Sequence, residues 1–326
     1  MDEAPGVEAY DRGVRLSQIV VYPIKSGAGI SAQQWPLLDR GLAHDRSFMV
    51  VDAATGSFLT QRECPALALV RPVIVIDQAT SVIDEAPSVV GEPSADETPT
   101  ADGAAKAGPT PMAGGTLDVV VGGDQVTVPL QLPPHSPVVS VSVWEHDGPA
   151  LDAGDQVADL LSTHLGRAVR MVGLAPDHQR AADANFAPRT APVSFTDGFP
   201  LLITAESSLA DLNDRLPEAL PMNRFRPNLV ITDSQSYAED GWSSIKVGDV
   251  DIDLVKPCAR CAITTVDQQT GVRSGGEPLR ALGTYRRGDR GVLFGQNAVH
   301  RTNGTLRVGD AVTAVRSEAS LWSPTP

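Results

Sequence analysis

Val250-Asp251-Ile252-Asp253-Leu254-Val255 runs directly into Lys256-Pro257-Cys258-Ala259-Arg260-Cys261, and Ala262-Ile263-Thr264-Thr265-Val266-Asp267 follows. The first six residues read as a strand and the last six as a second strand, so the cysteine segment is expected in the loop between them. Loop ends on a β scaffold are where reactive side chains are commonly mounted. Around this centre the chain stays β-rich, with strands expected over 228–232, 245–247, 291–294 and 306–315.

Only two helices are legible. After Asp155, read as an N-cap, Val157, Leu160, Leu161 and Leu165 fall at helical spacing until Gly166 ends the run. A second helix over 206–216 aligns Leu209, Leu212 and Leu216 on one face. In the first half, Arg15-Leu16-Ser17-Gln18-Ile19-Val20-Val21-Tyr22 is a strand closed by Pro23, and a strand over 47–52 ends at Ala54-Thr55-Gly56. Strands over 117–121 and 126–130 join across Gly122-Gly123 as a hairpin, and another covers 138–144. Five short strands with little helix suggest a small barrel or sandwich in this half. The fold class is therefore mainly β with a few helices, α+β, and no internal repeat is visible. Residues 81–115, rich in Pro, Ala, Gly, Ser, Thr and acidic residues and without aromatics, are expected to be a mobile surface insertion.

With 326 residues, 42% of them hydrophobic, the chain can fill two ordinary domains. Its formal net charge is -14 and it carries only four lysines, Lys25, Lys106, Lys246 and Lys256. Nucleic acid and anionic membrane surfaces are excluded as partners, because phosphate contacts need a basic field. No apolar run approaches the roughly 20 residues of a membrane span. The start, Met1-Asp2-Glu3-Ala4, is acidic where a leader would be basic, so a cytoplasmic location is expected.

Three cysteines are too few for a disulfide scaffold, and Cys64, beside Pro65, reads as a packed thiol. For Cys258 and Cys261 four readings stand side by side on the residues alone. A structural zinc site normally draws on four ligands, and no second Cys or His pair follows. A dithiol redox pair would want a βαβ context that is missing, and two inert buried thiols are always possible. In the fourth reading, Arg260 and Lys256 favour a thiolate, the form that binds metal.

Other cationic positions sit at strand ends beside hydrogen-bonding groups: Lys25 in Tyr22-Pro23-Ile24-Lys25-Ser26, Arg46 in His44-Asp45-Arg46, and Arg226 in Asn223-Arg224-Phe225-Arg226-Pro227-Asn228. Each alone is a solvated lysine or an ordinary ion pair as readily as a ligand clamp. Together with Arg260 they are what a buried polyanion would need. Gly27-Ala28-Gly29 lacks the further glycine and helix of a dinucleotide or P-loop motif, the six histidines have no metal-ligand spacing, and no Ser-His-Asp order is present.

These segments, taken in order with Phe195-Thr196-Asp197-Gly198-Phe199-Pro200, Ser208-Leu209-Ala210-Asp211-Leu212-Asn213, Cys258-Ala259-Arg260-Cys261 with Thr264-Thr265-Val266-Asp267, and Leu293-Phe294-Gly295-Gln296, resemble the MOSC proteins. The resemblance runs from about residue 14 to 316 and is to the group containing the amidoxime-reducing components. It implies an N-terminal MOSC β-barrel domain over 14–145, a helical connector over 146–184 and a MOSC domain over 185–316, with tails 1–13 and 317–326. It further implies a molybdenum–molybdopterin cofactor whose single protein ligand is Cys261. Lys25, Ser26, Arg46, Arg226, Asn228 and Arg260 would hold its pterin and phosphate, Asp197 and Gly198 would form a loop beneath, and Cys261 and Arg260 would act at the metal.

The implied activity is reduction of N-hydroxylated or related N- or S-oxygenated small molecules. A ferredoxin-type cluster needs four cysteines and the chain has three, so no iron–sulfur cluster is expected here and electrons would come from a separate ferredoxin- or flavin-type reductase. Pyridoxal phosphate is not expected. Two further functions remain open on the same resemblance: sulfur carriage or cofactor sulfuration through a persulfide on Cys261, and non-enzymatic carriage of the cofactor.

Overall fold

The computed structural model describes residues 13–76 and 114–316. The chain opens with β1 (Arg15–Val21), β2 (Ile30–Ala32), β3 (Gln34–Leu38), β4 (Gly41–Leu42) and β5 (Phe48–Asp52), followed by β6 (Arg71–Val75). Next come β7 (Thr116–Val121), β8 (Asp124–Pro129), β9 (Val138–Val143), β10 (His146–Asp152), α1 (Asp155–Leu165) and β11 (Val169–Leu174). The remainder holds β12 (Leu201–Ala205), α2 (Glu206–Asn213), β13 (Leu229–Thr232), β14 (Trp242–Val247), β15 (Val250–Ala259), α3 (Leu279–Tyr285), β16 (Arg287–Gly288), β17 (Gly291–His300), β18 (Gly304–Arg307) and β19 (Val312–Arg316). The mainly β, α+β class expected from the sequence is what the chain adopts. Among the described residues no helix is long and apolar enough to cross a membrane.

Two cores organise these elements, and the chain does not fill them one after the other. The larger sheet runs β19-β14-β15-β17-β12-β13-β1-β2, with β16 on the edge of β17. Its core takes Leu16, Ile19 and Val21 from β1 and Leu37 and Leu42 from β3 and β4, beside Ile203, Leu229, Ile252 and Leu306 from the second half. Strands β1, β3 and β4 thus pack into the core of the second half, although the resemblance places them within the N-terminal domain. The second core takes Ile24, Phe48, Val50, Leu117, Val119, Leu161 and Met171. The chain therefore passes from the larger core into the second twice, once just after β1 and once between β4 and β5, and returns each time.

Several expected elements hold. The hairpin across Gly122-Gly123 pairs Val121 with Asp124, and both glycines have positive φ, 62° and 103°, as the tight turn requires. Helix α1 buries Val157 and Leu161 and stops at Gly166 in the left-handed conformation, but Gly154 is its N-cap and Asp155 its first residue. Other expectations need correction. Residues 262–267 are not a strand: Ala262–Thr265 form a 3-10 turn, Thr264 and Thr265 turning their hydroxyls back onto the carbonyls of Cys261 and Ala262. Strand β15 instead runs on through Pro257 to Ala259, so the first cysteine lies on a strand and not in a loop.

Helix α2 ends at Asn213, short of Leu216. The segment 306–315 is two strands broken at Gly309 (φ 94°). The segment 146–184, expected as a helical connector, also contributes β10 and β11, which join β5 and β9 in one sheet. The insertion read over 81–115 lies, apart from Gly114 and Gly115, outside the described residues.

The C-terminal barrel also encloses charge. Glu239 is fully buried and accepts the Ser208 hydroxyl on both carboxylate oxygens, while Asp240 next to it pairs with the buried Arg286 at 2.6 Å. Burial, reinforced by the Asp240 carboxylate, pushes the Glu239 carboxyl up to about 7. In the unfolded chain the value returns to about 4.3. Between those values the folded chain binds more protons than the unfolded one, so stability falls as pH rises through that window. His178, lowered to about 4 by burial, pulls the other way over part of the same range, so the Glu239 contribution is read against Glu239→Gln: in urea unfolding the change from near pH 5 to near pH 8 should be more favourable in the variant than in wild type by on the order of 2 kcal/mol.

Candidate functional site

The two chain crossings are bonded to each other, and this brings the expected cationic residues together. Phe48 N donates to the Pro23 carbonyl at 2.9 Å, Lys25 N to the Phe48 carbonyl at 2.8 Å, and Arg46 N to the Tyr22 carbonyl at 2.7 Å. Asp45, 3% exposed, accepts the Tyr22 N–H at 2.8 Å and the Arg46 guanidinium at 2.5 Å. Burial raises the Asp45 carboxyl, against the opposing pull of Arg46.

On the C-terminal side, β15 carries two register shifts against β17, between Leu254 and Lys256 and between Pro257 and Ala259. Bulges of this kind re-aim side chains and accommodate a proline that cannot donate to the ladder. Opposite them Gly295 has φ 77°, and a Cβ there would meet the Ile203 carbonyl at 2.7 Å. These irregularities set Cys258, Arg260 and Cys261 around an open cleft with about 840 Å³ of free space.

Lys25, Ser26, Arg46, Asp197, Gly198, Arg226, Asn228, Arg260 and Cys261 all line that one cleft, as does Cys258. The other arginine of the Asn223-to-Asn228 segment does not: Arg224 is buried against Asp267 at 3.0 Å, the structural ion pair. Tyr22, 2% exposed, backs two of these arginines, with the Arg46 and Arg226 guanidinium carbons each 4.3 Å from its ring centre. Such stacking suits the planar guanidinium and leaves its edges free to donate.

Burial lowers Arg226 to about 10. Arg260 donates from Nη1 to the Cys258 sulfur at 2.9 Å and from Nη2 to the Phe225 carbonyl at 2.7 Å. Phe225 is in turn stacked on Phe294 at 4.0 Å. Both cysteines are free and half-buried. Ser26, Arg46 and Arg226 have positive φ of 65°, 48° and 55°, backbone strain that persists only where surroundings over-determine it.

Asp197 and Gly198 arrive on the irregular strap between β11 and β12, which arginines hold in place. Arg40 donates to the carbonyls of His178 and Val193, and Arg180 to those of Ser194, Thr196 and Asp197. Lys25 Nζ, 5% exposed as a residue, reaches the Phe195 carbonyl at 2.9 Å and Asp197 Oδ1 at 2.5 Å. Desolvation lowers the Lys25 ammonium; at Asp197 it works against ionisation, but the Lys25 charge and hydrogen bond prevail and hold that carboxyl well below the usual range. The Asp197 side chain is 60% exposed, so water screens the pair.

Three buried polar atoms on cleft residues have no partner: Arg226 Nη2, Arg260 Nε and Thr196 Oγ1. Buried donors without acceptors are rare in finished folds and mark a place for a ligand. An arginine-rich cleft with unspent donors, in a chain of net charge -14, is built for an anion. Among the described residues no group of three or more His, Cys, Asp or Glu side chains could hold a metal, so the zinc reading finds no ligand set.

Comparison with known proteins agrees with this geometry. The description "MOSC domain" matches residues 190–313 and "MOSC N-terminal beta barrel domain" matches residues 13–102. Mitochondrial amidoxime-reducing component 1 of Homo sapiens is 30% identical over 91% of this chain and 82% of its own length. The Danio rerio protein of the same name is also 30% identical, over 91% of this chain and 83% of its own length. The chain belongs to the MOSC family that includes these amidoxime-reducing components. Molybdenum cofactor sulfurase of Arabidopsis thaliana is 27% identical over 86% of this MOSC chain but only 32% of its own length. Among solved structures, YiiM from Geobacillus stearothermophilus aligns at a TM-score of 0.28 and 11% identity over 36% of this chain and 54% of that one, too loosely to bear on the site.

In this MOSC protein the cleft also uses residues that the sequence motifs do not flag. Arg62 and Thr60 line it from the segment after β5. Behind them Gln61, fully buried, donates to the Ser26 carbonyl at 2.7 Å and exchanges amide hydrogen bonds with Gln268 at 3.0 and 2.8 Å. Gln268 Oε1 also lies 3.4 Å from Arg226 Nη1, a long contact. The only sequence sign is the polar character of Thr60-Gln61-Arg62 after an apolar strand. Gln268→Ala should lower stability by about 1–3 kcal/mol, since it leaves a buried amide part-paired. Measured by urea denaturation, the Gln61→Ala, Gln268→Ala double variant should then lose less than the sum of the singles.

Proposed function

We propose that the cleft holds a molybdenum–pterin cofactor through the Cys261 sulfur, and that the protein reduces N-hydroxylated or related N- or S-oxygenated small molecules with electrons from a separate donor. The observation that carries this reading is the convergence of Arg46, Arg226 and Arg260, two of them with unpartnered buried nitrogens, beside a half-buried free cysteine. The names of the amidoxime-reducing relatives support the same substrate class.

The donor set fits such a group. A pterin dithiolene bearing phosphate is anionic and flat, which suits planar guanidiniums held against a buried aromatic ring. A soft thiolate is the side chain that a softer metal selects. Lys25, Ser26, Arg46, Arg226 and Asn228 would bind the anionic part, and Asp197 and Gly198 would close the cleft from the strap. When bound, the cofactor supplies the two-electron oxygen-transfer chemistry.

The chain's own contribution is positional and electrostatic. Arg260 is tied at Nη2 to the Phe225 carbonyl and at Nη1 to the Cys258 sulfur, so its charge is fixed on the cleft wall beside the first of the two thiols. Lys25, held between the Phe195 carbonyl and Asp197, is a proton-bearing group at the mouth. The sulfurase relative favours a second reading, in which Cys261 carries a persulfide.

The test is expression in a host that makes the cofactor, followed by molybdenum and pterin analysis. Cys261→Ser should lose reduction of an amidoxime by at least about a hundredfold, the order at which loss of a metal ligand or its support is felt, and should alter the metal centre. Cys258→Ser should keep both. Equal losses would overturn the single-ligand reading, sulfane sulfur on Cys261 without metal would favour the persulfide, and fully loaded protein without turnover would favour carriage.

A further inference from the structure

The cleft is polar, but a flat apolar surface stands at its mouth. Trp144 occupies the two-residue turn between β9 and β10, with φ of 57°, a backbone state that a bulky side chain keeps only when neighbours impose it. It is 48% exposed, and among the described residues no other Trp, Phe or Tyr is exposed.

Three contacts fix the indole. Nε1 donates to Asp197 Oδ1 at 3.3 Å, the same oxygen that Lys25 reaches. Phe58 meets the ring edge-on at 5.1 Å between centroids, and the Arg62 guanidinium lies 4.9 Å from its centre. Arg62 and Asp197 both line the cleft, so the indole adjoins its entrance. Outside lies an open groove with about 1250 Å³ of free space, bordered by Phe58, Trp144 and His146, with Glu63, Glu145 and Arg180 also on its walls.

We propose that Trp144, with Arg62 stacked on it, forms a substrate-selecting shelf that takes the planar aromatic body of an uncharged N-oxygenated compound while its reacting end enters the cleft. The inference rests on the reductive reading of the cleft. An indole and a guanidinium are both flat surfaces on which an aromatic ring stacks favourably. Glu63, Glu145 and Arg180 border the groove and Arg62 lies on the indole, two carboxylates and two guanidiniums whose charges balance and select neither an anionic nor a cationic ring. The hydrogen bond to Asp197 fixes the shelf relative to the strap that closes the cleft. A Trp144 that served only to anchor the hairpin would affect folding and leave every substrate alike.

The full-length protein from a cofactor-making host, assayed with a reduced artificial donor, distinguishes these roles with benzamidoxime and acetamidoxime as probes. Trp144→Leu should raise KM for benzamidoxime about tenfold, the effect of one lost stacking partner, while KM for acetamidoxime moves by less than about twofold and kcat holds for both. Trp144→Phe should restore most of the difference. Equal shifts for the two compounds, or no shift for benzamidoxime, would overturn the shelf.

If wild type reduces neither compound, the reductive reading fails and the shelf is judged separately by calorimetric binding. Tighter binding of benzamidoxime than acetamidoxime, lost in Trp144→Leu, supports it, and equal affinities refute it. Should Trp144→Leu not fold, wild type labelled with 5-fluorotryptophan decides: a shift of the Trp144 fluorine line with benzamidoxime and not with acetamidoxime is expected, and an unmoved line counts against the proposal.

Discussion

Asp45 lets guanidinium groups gather inside an acidic protein. Its carboxylate is buried where the two chain crossings meet, accepting the Tyr22 backbone N–H from one and the Arg46 guanidinium from the other. Remove that acceptor and the Arg46 charge is left against the Tyr22 ring with its nearest carboxylate gone, next to Arg226 on the same ring. Breaking a buried pair in this way costs more than the pair itself contributes, because a charge is stranded. The cleft geometry therefore depends on a residue that does not itself line it.

The strain in the backbone follows the same logic. Ser26, Arg46 and Arg226 sit in left-handed conformations although none is glycine, and the backbones of the first two are tied by bonds from another part of the chain. Gln61 holds the Ser26 carbonyl, Tyr22 accepts from the Arg46 amide, and Gln268 lies beside the Arg226 guanidinium. Cross-chain ties of this kind make a site preorganised, so donors wait in place for an anion and need not be gathered by it.

Much of this was legible in the residues. The strand-rich pattern, the Gly-Gly hairpin and the Gly166 helix stop follow from local chemistry, and the motif residues, ordinary when taken singly, do share one cleft. The failures have local causes too. Val-Asp after Thr264-Thr265 looked extended, but the threonine hydroxyls preferred carbonyls three residues back and curled the segment. The loop expected from Lys256 onward is instead a bulged continuation of the strand through Pro257 to Ala259. What no local reading could supply was the partition of cores. Val21 and Ile24 are three positions apart and belong to different ones, and no periodicity distinguishes two apolar residues by which interior they enter.

The double crossing also bears on how the molecule comes into being. Since β1 and β3 need β13 and β18 as their sheet partners, an emerging chain cannot finish its opening strands before late ones are available. Assembly is dominated by contacts distant along the chain, which favours slow maturation. The cavity has no walls until both interiors have closed. Loading is then a late event on an already shaped host, and an occupant that binds only the finished shape would hold the two halves together in proportion to its abundance.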